Sequence, residues 1–188
     1  MKKKQVQRLV AFSLATMMTL QGLSVNASGQ VQVRTDSNTQ MSSDKEVVYV
    51  NTYDTSKRVH DFDANWKFYL GDADGAEAVN FDDSAWRTVS VPHDYSIEQE
   101  YTQSGEAESG YLPGGTGWYR KHFTLTEDMK DKEIRLDFGG VYMNATVWVN
   151  GTQLGTHPYG YTPFSFDITD YVKAGEENVI TVKVDHQT

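Results

Sequence analysis

An all-β fold, an antiparallel two-sheet sandwich of the jelly-roll kind, is what this sequence predicts. Three observations carry it. Short segments alternate apolar and polar residues with the two-residue period of a half-buried strand, turn residues recur between them, and no stretch of ten or more residues carries an apolar stripe at helical spacing.

The elements follow in chain order. "NWKFYL" sets Trp66, Phe68 and Leu70 on one parity and Lys67 and Tyr69 on the other, as a half-buried strand requires. "GDADGAEAVNFDDSAW" is rich in turn formers and reads as a long connection. "WRTVSVP" resumes extended structure and should stop at Pro92, which cannot donate to a ladder. Residues 94–117, "DYSIEQEYTQSGEAESGYLPGGTG", read as a long acidic, Gly-rich loop, and loops of that length inside a domain are usually functional or disordered. "WYRKHFTL" places Tyr119, Lys121, Phe123 and Leu125 on one face and Trp118, Arg120 and His122 on the other. "EIRLDF" alternates with Ile134, Leu136 and Phe138 facing in. Ala145, Val147 and Val149 line one face of the next strand, and Asn150-Gly151 supplies the positive φ angles of a two-residue hairpin turn before "TQLGTH" returns. "PFSFDIT" and "NVITVKV" add two more strands, the second with Ile180, Val182 and Val184 on a common side.

The first 27 residues differ from the rest. Lys2, Lys3, Lys4 and Arg8 make a positive start, an apolar run from Leu9 to about Val25 follows, and small residues precede a cut after Ala27. This is the pattern of a secretory signal peptide, so residues 1–27 are expected to lie outside the fold. Residues 28–45 are polar and read as a flexible linker, and 46–188 hold the folded domain. The expected location is secreted or at the cell surface of a bacterium, with no membrane partner after signal cleavage.

Without residues 1–27 the chain keeps 13 basic against 26 acidic residues, a net charge of −13. Nucleic acid as a partner is excluded on that balance, because such binding draws its affinity from Lys and Arg on phosphates. There is no cysteine, which removes thiol nucleophiles, Cys-based zinc sites and disulfides together. A Cys-free exported chain must be held by packing alone.

Motifs for catalysis are missing: there is no G-x-S-x-G elbow, no H-E-x-x-H and no phosphate loop, and "GDADGAE" lacks the ligand spacing of a calcium-binding EF-hand loop. The five histidines, His60, His93, His122, His157 and His186, are scattered singly and read as structural. No metal and no cofactor is expected. Carboxylates crowd the long loop, but a glycosidase needs two of them flanking the bond at a fixed separation. Glu98, Glu100, Glu106 and Glu108 read as a solvated face, whereas Asp94 stands directly after a predicted strand end.

"VPHDY", "GGTGWYRKHF", "GGVYMNATVWVNG", "LGTHPYGYTPF" and "DITDYV", in that order, resemble the N-terminal sugar-binding domain of glycoside hydrolase family 2, in particular its bacterial β-galactosidase members. The resemblance covers about residues 46–188. It implies a galactose-binding-domain-like jelly roll at the head of a multidomain enzyme, followed by an immunoglobulin-like domain and a barrel that carries two catalytic glutamates in a retaining mechanism. No position here corresponds to those glutamates, so no catalytic residue is assigned and the chain alone is expected to be inactive. The resemblance also implies a role for Asp94, which would reach the barrel's active site and accept hydrogen bonds from galactosyl hydroxyls. His93 would hold the Asp94 loop, and Tyr95 stands where Trp is common.

Other aromatic residues have more than one reading each. Trp118 and Tyr119 suit either a sugar-stacking face or the core, and Tyr159 and Tyr161 either the sugar cleft, closure of the sandwich or contact with partner domains. The expected function is the sugar-binding domain of an exported retaining β-galactosidase acting on terminal β-galactosides. The alternatives are a free-standing carbohydrate-binding module and a non-catalytic surface β-sandwich; β-glucuronidase and β-mannosidase are the competing specificities.

Overall fold

The computed structural model describes residues 6–11, 51–103 and 110–186. The predicted linker at 28–45 and the loop residues Glu106 and Glu108 lie outside them. Eleven strands are assigned: β1 (Val6–Ala11), β2 (Thr52–Tyr53), β3 (Val59–Asp61), β4 (Trp66–Leu70), β5 (Arg87–Val89), β6 (Gly115–Leu125), β7 (Glu133–Phe138), β8 (Ala145–Val149), β9 (Thr152–His157), β10 (Phe164–Asp167) and β11 (Glu177–His186). They form two sheets. One has the order β5-β4-β6-β11-β8-β9 with β2 added beside β6, and the other has the order β10-β7-β1-β3. Pairing is antiparallel except for β2 with β6 and β1 with both its neighbours, so the predicted sandwich of antiparallel sheets is what forms.

The alternating pattern decides which side chains face the other sheet. Phe68, Tyr119, Phe123 and Leu125 from one sheet, with Val147, Val149, Ile180, Val182 and Val184, meet Ile134, Leu136 and Phe138 from the other in a single core. Most are completely buried, and burial of each large side chain contributes about 1.5–3 kcal/mol. Asn150 and Gly151 take φ angles of 48° and 80° and close the β8–β9 hairpin as expected. Asn150 also clamps its surroundings: its Oδ1 accepts from Val179 N at 2.9 Å and its Nδ2 donates to Tyr171 O and to Asn178 Oδ1 at 2.8 Å.

One expectation about an element end changes. "WRTVSVP" forms only the short β5, which stops at Val89 rather than at Pro92, so Asp94 stands five residues beyond the strand and not directly after it. Val91 N instead donates to Asp63 O at 2.9 Å, and the Val91 side chain enters the core. Val6–Ala11, within the expected signal peptide, pairs as a strand in the four-stranded sheet. An apolar leader can satisfy its backbone in an open lane of a sheet as well as in a membrane.

The connection from Gly71 to Trp86 is more than a linker. It lies over the outer face of the larger sheet, where Ala76, Trp86 and Trp118 are buried together and Phe81 and Trp148 pack against them. Arg120, wholly buried on that face, donates from Nε to Asp83 Oδ2 at 2.7 Å and from Nη1 to the carbonyls of Ala76 and Ala78. His122 Nε2 reaches the same Asp83 oxygen at 2.9 Å. A buried guanidinium without such partners would cost several kcal/mol, so the turn-rich sequence folds around the charge that pins it.

Candidate functional site

Five strands of the larger sheet stop along one edge. Leu70 pairs with Gly117, Gly115 with His186, and Ala145 with His157, while Asp185 N donates to Met143 O. The loops that follow or precede these ends therefore open on a common rim. The motifs that stand far apart in the sequence meet here.

Glycines make the meeting possible. A side-chain carbon on Gly117 would come within 2.9 Å of the Tyr95 ring, so "GGTGW" leaves room for "VPHDY" to pack flat on it. Gly160 in "HPYGY" sits directly on the ring of Tyr142 from "GGVYMN", and Gly114 on the carbonyl of His186. Each is a close approach that only a residue without Cβ allows.

Asp94 stands half-buried next to Tyr95, whose hydroxyl reaches this rim at Gly115 O. Its Oδ1 accepts from Ser96 N at 2.9 Å, an Asx turn that fixes the carboxylate and starts the 3₁₀ turn Ser96–Glu98. The second oxygen takes no hydrogen bond from the described residues. A carboxylate held by one oxygen and open at the other can accept from ligand hydroxyls.

The residues on either side of Asp94 are anchored. Tyr95 is buried, lies against Phe68 with ring centroids 5.7 Å apart, and donates its hydroxyl to Gly115 O at 2.9 Å. Burial, foremost, pushes its phenol well above the ordinary range, so it stays a donor. His93 Nδ1 lies 2.8 Å from the Tyr119 hydroxyl, and its Nε2 lies 3.1 Å from Arg87 Nη2 and 3.2 Å from Glu98 Oε1. Arg87 and Glu98 also pair directly. Burial of Glu98 opposes its ionisation, but the hydrogen bonds from Arg87 and His93 outweigh it and hold the carboxyl below the usual range.

Sequence reasoning placed Asp94, His93 and Tyr95 side by side, and the structure gives each a distinct position: a rim carboxylate between two anchors. It missed Glu98, which was read as part of a solvated face and instead ties Arg87 and His93 beneath the Asp94 turn. No local pattern announces that tie, since Arg87 and Glu98 are eleven residues apart. Trp118 is resolved as core: it stacks on Trp148 at 5.8 Å under the Gly71–Trp86 connection. Tyr119 is core as well, with only its hydroxyl spent on His93. Tyr159 and Tyr161 do not close the sandwich, being 61% and 73% exposed on the rim, where Tyr161 meets Tyr142 at 5.3 Å.

Beside this anchor lies an open cleft of about 390 Å³, lined by Tyr69, Trp86, Arg87, Tyr95, Glu98 and Gln99 among others. Among the described residues no group of three or more His, Asp or Glu is placed to hold a metal ion, and no helix is long and apolar enough to cross a membrane.

A β-sandwich that gathers an anchored carboxylate and exposed tyrosines on one loop rim has the makings of a carbohydrate-handling domain, and comparison with known proteins is specific on the point. Residues 59–187 match the model of glycosyl hydrolases family 2, sugar binding domain. The chain is 46% identical over 128 residues to the beta-galactosidase BoGH2A of Bacteroides ovatus, covering 67% of this chain and 15% of that protein. It is 44% identical over 127 residues to a putative beta-glucuronidase of Formosa agariphila, covering 66% of this chain and 12% of the relative. A solved family 2 member from Bacteroides cellulosilyticus superposes with a TM-score of 0.66 at 46% identity, over 67% of this chain and 17% of that one. The chain belongs to glycoside hydrolase family 2, as the sugar-binding domain found at the N-terminal end of its members. It spans only about a sixth or less of the length of these relatives.

Proposed function

We propose that this chain is the N-terminal sugar-binding domain of an exported, retaining β-galactosidase that hydrolyses terminal β-galactosides, and that Asp94 is its contribution to the substrate site. The observation that supports the reading is the Asp94 turn: one carboxylate oxygen is fixed by Ser96 N, the other takes no hydrogen bond from the described residues, and Tyr95 and His93 are anchored on both sides. The 46% identity to a beta-galactosidase supports the galactoside as substrate.

Hydrolysis itself belongs to the remainder of the longer polypeptide. A retaining mechanism needs two carboxyl groups about 5–5.5 Å apart, one as nucleophile and one as acid/base. On this rim Asp94 is held in a turn and Glu98 is committed to Arg87 and His93, so neither is free to act as the second partner. Partner domains of the same enzyme, an immunoglobulin-like domain and the catalytic barrel, would meet the rim, where Ile97, Tyr101, Tyr111, Tyr159 and Tyr161 supply exposed apolar surface.

A second specificity has an observation in its favour, because a relative named as a putative beta-glucuronidase is almost as similar as the beta-galactosidase. Purified chain incubated with chromogenic β-galactoside, β-glucuronide and β-mannoside is expected to turn over none of them. Replacing the matching domain of BoGH2A by residues 46–188 then tests the role of Asp94: the graft should hydrolyse the β-galactoside, and less well with Asp94→Ser. Turnover by the isolated chain would place catalysis within these residues and contradict the proposal.

A further inference from the structure

We propose that Lys121 is a positioning residue for Asp94, the third seat of a template that alternate residues of β6 provide for the segment from Val91 to Tyr95. This rests on the substrate role proposed above for Asp94 and extends it to what holds that carboxylate in place.

Lys121 shares the core-facing parity of β6 with Tyr119 and Phe123, and it is wholly buried. An ammonium in a core is costly unless it is partnered. Its Nζ donates to Ala64 O in the connection between β3 and β4. The same atom lies 4.5 Å from the centroid of the Phe62 ring and 5.8 Å from that of Trp66, contacts that favour a cation. Burial, foremost, lowers its pKa to about 8, and the charges of Asp61 and Asp63 work against that fall. At neutral pH the group stays charged, and its bond to Ala64 O is charge-assisted.

The residue next to Ala64 passes the hold on. Asp63 O accepts from Val91 N at 2.9 Å. Because β5 has ended at Val89, this bond takes up the chain again beyond the ladder, three residues before Asp94. The other two seats follow at two-residue steps along both segments. The Tyr119 hydroxyl meets His93 Nδ1 at 2.8 Å, and Gly117 leaves room for the Tyr95 ring. Residues 91, 93 and 95 are thus matched in reverse order by 121, 119 and 117 of β6. Val91 and Tyr95 are buried and the His93 side chain nearly so. Asp94 falls on the skipped step, half-buried and held by Ser96 N. Removing the Lys121 ammonium frees the Val91 end and leaves the His93 and Tyr95 seats intact, so it should displace Asp94 without unfolding the sandwich.

The test reads local against global opening by amide hydrogen exchange in the 188-residue chain. Lys121→Met keeps an unbranched side chain and removes both charge and donor. The Val91 and Ser96 amides are expected to exchange at least about tenfold faster, with Val147 and Val182 within about twofold of wild type. Because the chain has no cysteine, Lys121→Cys alkylated with 2-bromoethylamine puts an ammonium back at this one position, and should return Val91 to within about threefold of its native rate. In BoGH2A carrying residues 46–188, Lys121→Met should lower kcat/KM for a chromogenic β-galactoside roughly tenfold, yet add less than about twofold on an Asp94→Ser background. An ester in place of the Val91 amide removes the N–H that meets Asp63 O, leaves Lys121 untouched and should give the same loss; it decides the matter where a Lys121 variant fails to fold.

A Val91 amide that does not respond, Val91 and Val182 amides that speed up together, no recovery on alkylation, an ester that leaves kcat/KM unchanged, or a Lys121→Met loss just as large on the Asp94→Ser background would each overturn the proposal while the substrate role of Asp94 stands. Unchanged kcat/KM in Asp94→Ser alone would instead remove that role, and this proposal with it.

Discussion

The molecule contains the same three chemical groups twice, and the two settings behave differently. On the outer face of the larger sheet, Asp83 joins Arg120 and His122; beneath the rim, Glu98 joins Arg87 and His93. Arg120 is wholly buried and Asp83 nearly so, whereas the Arg87 and Glu98 side chains are 49% and 41% exposed. Buried, the trio is a structural rivet that folds the Gly71–Trp86 connection onto the sheet. Half-exposed, it is a light brace that orients the Asp94 turn without locking it. Composition alone does not separate a fold device from a site device; burial does.

The contrast sharpens under mutation. Asp83→Ala leaves the Arg120 guanidinium buried with only carbonyl and hydroxyl partners, and should cost about 3–5 kcal/mol of stability, read from urea unfolding followed by tryptophan fluorescence. The counterpart Glu98→Gln should cost less than about 1 kcal/mol. Equal losses in the two variants would erase the distinction.

Stability against pH separates them further. For His122, the hydrogen bond it donates to Asp83 foremost raises the imidazole above its ordinary 6.5. Its contribution is fully present below 6.5 and lost as pH rises through the raised value. Burial of Asp83 opposes its ionisation, but the hydrogen bonds from His122 and Arg120 outweigh it and hold the carboxyl below 3.8. Its contribution is present above 3.8 and lost as pH falls through the lowered value. The buried trio should thus be strongest between those limits, and Asp83→Asn should flatten both flanks of the melting profile.

Smaller effects test the brace. Tyr119→Phe removes the hydroxyl that meets His93 at 2.8 Å and should cost about 1 kcal/mol, with the Asp94 turn loosened as seen by exchange of the Ser96 amide. The smallest expected change is in Arg87→Ala, whose exposed pair with Glu98 should lose what little it contributes as ionic strength is raised. A stability difference that persists in high salt would mean that Arg87 acts through its contact over the Phe68 ring rather than through charge.

Much of the fold was legible because its information is local and periodic. Alternation put Phe123, Leu136 and Ile180 on the core face, and Asn150-Gly151 specified its turn. What stayed hidden depends on distant partners. Nothing near Arg120 says that Asp83, thirty-seven residues earlier, will meet it. The shortness of β5 depends on Val91 N finding Asp63 rather than a neighbouring strand. At the candidate site, the adjacency of Asp94, His93 and Tyr95 is given by their motif, while the contacts of Glu98 are not, because an acidic residue in an acidic loop carries no sign of the arginine it will bind. The place of Val6–Ala11 in a sheet was hidden too, because its pairing depends on the distant strands β3 and β7.

The proposed contact with a sugar runs through Asp94 and not through the groups that brace it. The most direct test is kinetic, in BoGH2A carrying residues 46–188 in place of its own matching domain. Asp94→Ser keeps a side chain able to form the turn with Ser96 N but withdraws the second carboxylate oxygen, and is compared with Glu98→Gln. Losing a charge-assisted hydrogen bond of about 2 kcal/mol should lower kcat/KM for a β-galactoside roughly thirtyfold in Asp94→Ser, with Glu98→Gln within about threefold of the unmutated graft. Unchanged kcat/KM in Asp94→Ser, or an equal loss in Glu98→Gln, would contradict the account and reduce Asp94 to a turn residue.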